Sequence, residues 1–338
     1  MHGPLCAGRA WGSVCRMPKQ PWTADRVADQ TGRTAVVTGA NSGLGLETAR
    51  ALAHKGAEVV IAVRNKEKGE RARAEIAAGF SAGHLDGRLR VRTVDLADLD
   101  SVRAFADGLH GECDRIDLLI NNAGVLAPPR TLSPQGHETQ FAVNYLGHFA
   151  LTGLLFPLLT GDNARIVTVT SIAHRVGRIH WNDLHGRRSY SAAGFYCQSK
   201  LANAVFGTEL HRRLDSAGSP VRSVLAHPGY TATNLLIGGP IGLAKLVGRV
   251  GALSRIGQTP AQGALPQLYA ATEPGIRGGE YIGPDGLLEL RGTPTRVRLK
   301  KAATAPETGR RLWELSERLT EVRFRIPARE EKPDAPGA

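Results

Sequence analysis

The stretch Thr34-Ala35-Val36-Val37-Thr38-Gly39-Ala40-Asn41-Ser42-Gly43-Leu44-Gly45 decides the fold. Its first five residues have the β-branched character of a pleated strand. They run without a break into a glycine-spaced turn, and a helical pattern opens directly after it. Glycines let the backbone turn sharply and lie close to an anion, whose charge the N-terminus of the following helix meets. The spacing is Gly-x-x-x-Gly-x-Gly, because Thr48 stands where the generic Gly-x-Gly-x-x-Gly pattern has its third glycine. A tight turn with no ligand would use the same glycines. What favours a dinucleotide pyrophosphate is the position, at the first strand-to-helix junction of an alternating chain.

Outward from this turn, short β-branched runs alternate with longer helical periodicities, the signature of βαβ units. Strands are predicted at TAVVT (34–38), EVVIAV (58–63), LRVRTV (89–94), DLLIN (117–121), RIVTVTS (165–171), VRSVLAH (221–227) and EYIG (280–283). Helices are predicted near 43–55, 66–79, 98–110, 134–160, 194–216 and 261–272. A last amphipathic one, near 306–323, carries Leu312, Leu315, Leu319 and Val322 on a stripe expected to pack on its own domain, the alternative being a partner's groove. Several strands are apolar throughout, as when helices cover both faces. The expected architecture is a single α/β domain over 31–325: a Rossmann-type, doubly wound parallel sheet of about seven strands with helices on both faces. Residues 1–30 read as a basic, disordered extension in which Met17 is a candidate start. Residues 326–338, rich in Pro and charge, read as a disordered tail.

Composition excludes other classes. At 338 residues, 42% hydrophobic and 22% charged, the chain is neither collagen-like nor disulfide-dense. The formal charge of +12 raises nucleic-acid binding, but the bases are scattered among acids and no aromatic-interleaved basic patch supports it. A solvated basic surface is the expected reading, with attraction for phosphorylated small molecules as a by-product. Cys6, Cys15, Cys113 and Cys197 form no Cys-x-x-Cys pair and have no His partners at zinc spacing, so no metal is expected and a reducing, cytoplasmic setting fits. No membrane span is expected: the longest apolar run, Phe149 to Leu159, is broken by Thr152, Gly153 and Pro157. The N-terminus lacks the apolar core of a secretory signal.

The second strand ends in Val63-Arg64-Asn65-Lys66. An NAD site places a carboxylate there to hold the ribose hydroxyls. Here no acid stands at that place, and Arg64, with Lys66 or Lys68 nearby, suits a 2′-phosphate. NADP(H) is therefore the expected cofactor; the alternative for Arg64 is an ordinary surface arginine. A second motif is Tyr196-Cys197-Gln198-Ser199-Lys200, in which helical spacing puts phenol and ammonium on one face. Lowering a tyrosine from about 10 toward neutrality needs roughly 4 kcal/mol of differential stabilisation. A lysine and an oxidised nicotinamide both act in that direction. Ser171 ends the preceding strand.

In order along the chain, Thr38 to Gly45, Asp95-Leu96, Asn121-Asn122-Ala123-Gly124, Asn144, Ser171, Tyr196 with Lys200, and Pro228-Gly229 with Thr231 or Thr233 resemble the motifs of a family. It is the short-chain dehydrogenase/reductases, NADP-preferring type, in the retinol-dehydrogenase-like and protochlorophyllide-reductase-like branch. The resemblance covers about 31–325. It implies that Gly39, Asn41, Ser42, Gly43, Leu44 and Gly45 form the pyrophosphate turn and that Arg64 meets the 2′-phosphate. Asp95 and Leu96 would contact adenine, and Asn122, with Ala123 and Gly124, would support the sheet and the adenosine ribose. Tyr196 would be general acid in reduction and base in oxidation. Ser171 would hydrogen-bond the substrate oxygen, Lys200 would hold the nicotinamide ribose and lower the tyrosine's pKa, and Asn144 would hold a proton-relaying water. Pro228, Gly229 and Thr231 would flank the carboxamide.

Each position also has a plainer reading. Asp95 would cap the helix starting near Asp98, and Ser171 would be a polar strand end. His148, a turn after Asn144, reads as a packed or surface histidine. Two features depart from the family pattern. Ser171 and Tyr196 are separated by an insertion expected to reshape the mouth of the pocket. The vertebrate members of the branch carry an N-terminal membrane anchor that is not legible here, so a membrane-bound retinoid role is not expected.

Leu235, Leu236, Ile237, Ile241, Leu243, Leu246 and Val247 make an apolar lid candidate, which favours an apolar alcohol or carbonyl over a sugar. The expected activity is NADP(H)-dependent hydride exchange with such a substrate. The alternatives are reduction of an activated C=C bond and a non-catalytic NADP(H)-binding sensor. A homo-oligomer is the state the resemblance implies.

Overall fold

A computed structural model describes residues 21–80, 87–160, 163–231 and 257–327. The strands are β1 (Thr34–Thr38), β2 (Glu58–Val63), β3 (Leu89–Thr93), β4 (Leu118–Asn121), β5 (Arg165–Val169), β6 (Arg222–Ala226), β7 (Tyr281–Pro284) and β8 (Pro294–Arg296). They form one sheet in the order β3-β2-β1-β4-β5-β6-β7-β8, parallel except for the antiparallel β7–β8 pair. About seven strands were expected. The eighth escaped notice because Pro294-Thr295-Arg296 is short and opens on a proline, which suits only an edge. Each inner strand is buried on both faces. In β1, Ala35 and Val37 pack into one hydrophobic cluster and Val36 into the other.

The helices are α1 (Gly43–His54), α2 (Lys66–Ala77), α3 (Leu99–Glu112), α4 (Thr139–Leu158), α5 (Ala192–Ser216), α6 (Pro260–Thr272), α7 (Lys301–Thr304) and α8 (Pro306–Thr320). Their starts follow local chemistry. Asn65 Oδ1 accepts the Lys68 N–H at 2.7 Å, and Asp98 Oδ1 accepts the Asp100 N–H at 3.1 Å. Thr259 and Gln262 form a capping box ahead of α6. Asp98, not Asp95, caps α3. α3, α4 and α5 pack on one side of the sheet, and α1, α2 and α6 on the other.

α4 is long and apolar enough to cross a bilayer, but 89% of its most apolar 18-residue stretch is buried inside the molecule, as befits a core helix. The predicted stripe also faces inward, with Leu312 and Val322 buried and Leu315 and Leu319 half-buried. Structure begins ahead of the expected boundary at residue 31. Trp22 is buried edge-on against Tyr269 at 5.2 Å and donates to Glu273 Oε2 at 3.1 Å, and Val27 is buried too. A basic leader hid these two anchors. The expectations for Met17, Cys6, Cys15, the far tail and the lid candidate lie outside the described residues.

Candidate active site

Sheet order reverses between β1 and β4, so the loops leaving their carboxyl ends part and open a crevice. A cleft of about 410 Å³ lies there. At one end is the glycine turn. Gly39 and Gly43 have φ of +68° and +57°, left-handed values that favour glycine. A Cβ on Gly45 would overlap Gly39 O and come within 2.6 Å of Asn122 Nδ2. The turn is therefore closed by backbone alone, leaving the start of α1 open toward the cleft. Asn41, Ser42 and Leu44 line it as well, and so do Arg64, Asp95, Leu96, Asn122, Ala123 and Gly124. Arg64 is exposed and makes no ion pair among the described residues. The residues that end β2 and follow it, Val63-Arg64-Asn65-Lys66, include no acid. These residues fit a dinucleotide.

The turn is held by two residues to which the sequence assigns no such role: Thr38, which opens the motif, and His148, which is packed as one of its two readings expects. Thr38 Oγ1 accepts the N–H groups of Asn122 at 2.9 Å and Ala123 at 3.0 Å. His148 is fully enclosed. Its Nδ1 donates to Asn144 O at 3.0 Å, so Nε2 is free to accept the Thr38 hydroxyl at 2.9 Å. Burial drives the imidazole down to about 4, which keeps it neutral for this role. Asn122 Nδ2 donates to Thr38 O at 2.8 Å, and Gln267 from α6 reaches Asn122 Oδ1 and Thr48. A threonine ending a strand and a histidine inside an apolar helix carry no signature on their own.

At the other end, Ser171, Tyr196 and Lys200 come together on the cleft with Pro228, Gly229 and Thr231. Ser171 lies past the end of β5 and caps the 3-10 turn Ile172–Arg175, its Oγ accepting the Ala173 N–H at 3.2 Å. Burial pushes the Tyr196 phenol up to about 12, against a hydrogen bond with Ser171 that works downward. This opposes the expected lowering by Lys200. The ammonium instead donates to Val169 O at 3.2 Å and stands 5.9 Å from the phenol ring centre. Desolvation lowers Lys200 itself to about 8.

Asn144 stands back from the cleft. It lies in a π-helical segment of α4, Ala142–Leu146, the local distortion that makes an asparagine tolerable there. Its Oδ1 accepts the Val125 N–H at 2.7 Å, and its Nδ2 donates to Val125 O at 3.0 Å and Ser199 Oγ at 2.9 Å. The side chain thus pins the segment following Gly124 to α5. Val125, Leu126, Val143, Ile172 and Tyr230 add a largely apolar wall. Val125, Val143, Ile172 and Tyr230 each adjoin a motif residue (Gly124, Asn144, Ser171 and Gly229), but none carries a signal of its own. The insertion before Tyr196 turns away from the cleft: residues 173–195 contribute nothing to its lining. Tyr190 donates to Glu138 Oε1 at 3.1 Å and Gln140 donates to Ala192 O at 2.8 Å, fastening the insertion to the start of α4. Thr233 lies outside the described residues.

A family model described as short chain dehydrogenase matches residues 33–238. Human retinol dehydrogenase 12 is 37% identical over 93% of this chain and 91% of its own length. Mouse polyprenol dehydrogenase is 40% identical over 86% of this chain and 84% of its own. Among solved structures, an uncharacterized protein of Mycobacterium paratuberculosis is 43% identical, covers 90% of this chain and 99% of that one, and superposes with a TM-score of 0.75.

Proposed function

Because the chain belongs to the short-chain dehydrogenase/reductase family, in its retinol-dehydrogenase-like branch, we propose that it is an NADP(H)-dependent oxidoreductase interconverting an apolar alcohol and its carbonyl, with Tyr196 handling the proton. The observation that carries this reading is one cleft with the glycine turn and Arg64 at one end and Ser171, Tyr196 and Lys200 at the other. The nicotinamide, when bound, supplies or accepts the hydride. Gly39, Gly43 and Gly45 hold the pyrophosphate, Asp95 and Leu96 border the adenine, and Pro228, Gly229 and Thr231 border the carboxamide. Arg64, in no ion pair among the described residues, would pair with the 2′-phosphate.

Ser171 Oγ hydrogen-bonds the substrate oxygen and stabilises charge that develops on it. A phenol held near 12 by burial is protonated at neutral pH, so Tyr196 is ready to donate in the reductive direction. Oxidation requires positive charge near the phenol, which the Lys200 ammonium would supply, and the same group would hold the cofactor's ribose. The apolar wall favours a hydrophobic substrate. Retinol and polyprenol, named for two relatives, are alcohols of that kind.

The test is oxidation of NADPH and of NADH by purified protein with long-chain and terpenoid aldehydes and ketones, alongside Tyr196→Phe. NADPH should be preferred at least about tenfold, since one charge-assisted contact is worth roughly 1.5–3 kcal/mol. The variant should lose about 10²–10⁴-fold in rate, the usual contribution of a positioned acid. Equal use of NADH, or an undiminished variant, would contradict the proposal.

A further inference from the structure

Behind the Pro228–Gly229 turn lies a charged cluster for which the proposed chemistry has no use. His227 is fully buried, with Nε2 2.9 Å from Glu289 Oε2. Its other nitrogen, Nδ1, accepts the Gly229 N–H at 3.2 Å. A backbone N–H only donates, so Nδ1 carries the lone pair and the ring proton sits on Nε2, given to the carboxylate. Glu289 thereby selects the tautomer that can hold Gly229. Its second oxygen takes Arg175 Nη2 at 2.6 Å. Arg175 closes the 3-10 turn that Ser171 caps. One carboxylate therefore links the turn carrying the substrate-orienting serine to the turn bordering the carboxamide.

The backbone is bent to put that carboxylate in place. Glu289 and Leu288 have φ of +57° and +53°, a region that residues with such side chains seldom adopt. The next residue, Leu290, gives its carbonyl to the Tyr230 N–H at 2.7 Å. A Cβ on Gly283 would overlap His227 Nε2, so the neighbouring strand is cut back to make room for the ring. Strained positions of this kind persist where the surrounding structure over-determines them, and they collect at functional sites.

We propose that Glu289 is a positioning residue: by holding the proton on His227 Nε2 it keeps Gly229 N–H on Nδ1, and so sets the Pro228–Gly229 turn in the form that accepts the nicotinamide end of the cofactor. The proposal rests on the dinucleotide reading above. Consistent with it, His227 and Arg175 pull the Glu289 carboxyl down to about 2, and burial lowers His227, so the neutral ring faces a carboxylate at neutral pH.

The experiment has two readouts: hydrogen–deuterium exchange of the Gly229 amide in the free protein, and NADPH affinity by calorimetry. Glu289→Ala should speed exchange at Gly229 and weaken NADPH about tenfold, the loss of one buried charge-assisted hydrogen bond. Glu289→Gln, nearly the same shape, should move both in the same direction and decides the matter if the alanine variant does not fold. In a His227→Leu background, Glu289→Ala should add nothing, because its effect passes through the ring. Unchanged exchange and affinity in both Glu289 variants, or additive losses in the double variant, would overturn the proposal while leaving the oxidoreductase reading intact. Failure of the wild-type protein to bind NADPH would remove both.

Discussion

At neutral pH Lys200 carries its charge with about 5% of its surface exposed and one hydrogen bond, to Val169 O at 3.2 Å. A buried ammonium with one acceptor among the described residues weighs against folding. We expect Lys200→Met to melt higher than wild type at pH 7 while losing turnover, a stability–activity trade-off. The sign of the pH dependence follows from a folded value of about 8, below the ordinary 10.5. Below pH 8 both states are protonated and the penalty stands in full. Between about 8 and 10.5 the unfolded chain binds the extra proton, so wild-type stability rises and the gap to Lys200→Met closes by about 3 kcal/mol. Denaturant titrations of both proteins at pH 7 and pH 10 check this, and a constant gap would contradict it. Arg64→Ala should weaken NADPH about tenfold and leave NADH unchanged, by calorimetry. Such residues were legible because the chemistry prescribes their type and spacing. Thr38 and His148 were not, because their roles arise from contacts across 110 positions of sequence.

Within the elements, the glycine turn was legible to the residue. Gly45 has no space for a methyl group between Gly39 O and Asn122, so Gly45→Ala should abolish cofactor binding and cost about 1–3 kcal/mol of stability, seen as a lower melting temperature. The π-helical segment of α4 was illegible, because periodicity registers a helix but not a single inserted residue. Its Asn144 satisfies both backbone groups of Val125. Asn144→Leu should therefore cost about 2 kcal/mol or more by leaving the Val125 N–H unpaired in a closed space. β8 stayed hidden for a different reason. A three-residue antiparallel edge is specified by its partner β7, not by its own pattern.

For the whole molecule, alternation of strand and helix specified the doubly wound sheet, and the switch between β1 and β4 then placed the cleft. Long-range packing set the rest. α8 lays Trp313 against Phe149 and Phe206, at 5.2 Å and 6.0 Å between ring centres, and Ser316 bonds Tyr145 OH at 2.5 Å. The C-terminal helix thus completes the core on the α4–α5 side. Trp313→Ala should cost about 3–5 kcal/mol in denaturant unfolding, far beyond an exposed helix residue.

The most direct measurement of the central claim follows deuterium from NADPH labelled at the nicotinamide C4 into the product of an apolar aldehyde by mass spectrometry. The account predicts a labelled alcohol with wild-type protein and almost none with Tyr196→Phe, although that variant still binds NADPH. Tight NADPH binding by wild type with no label passed to any apolar aldehyde or ketone would contradict it.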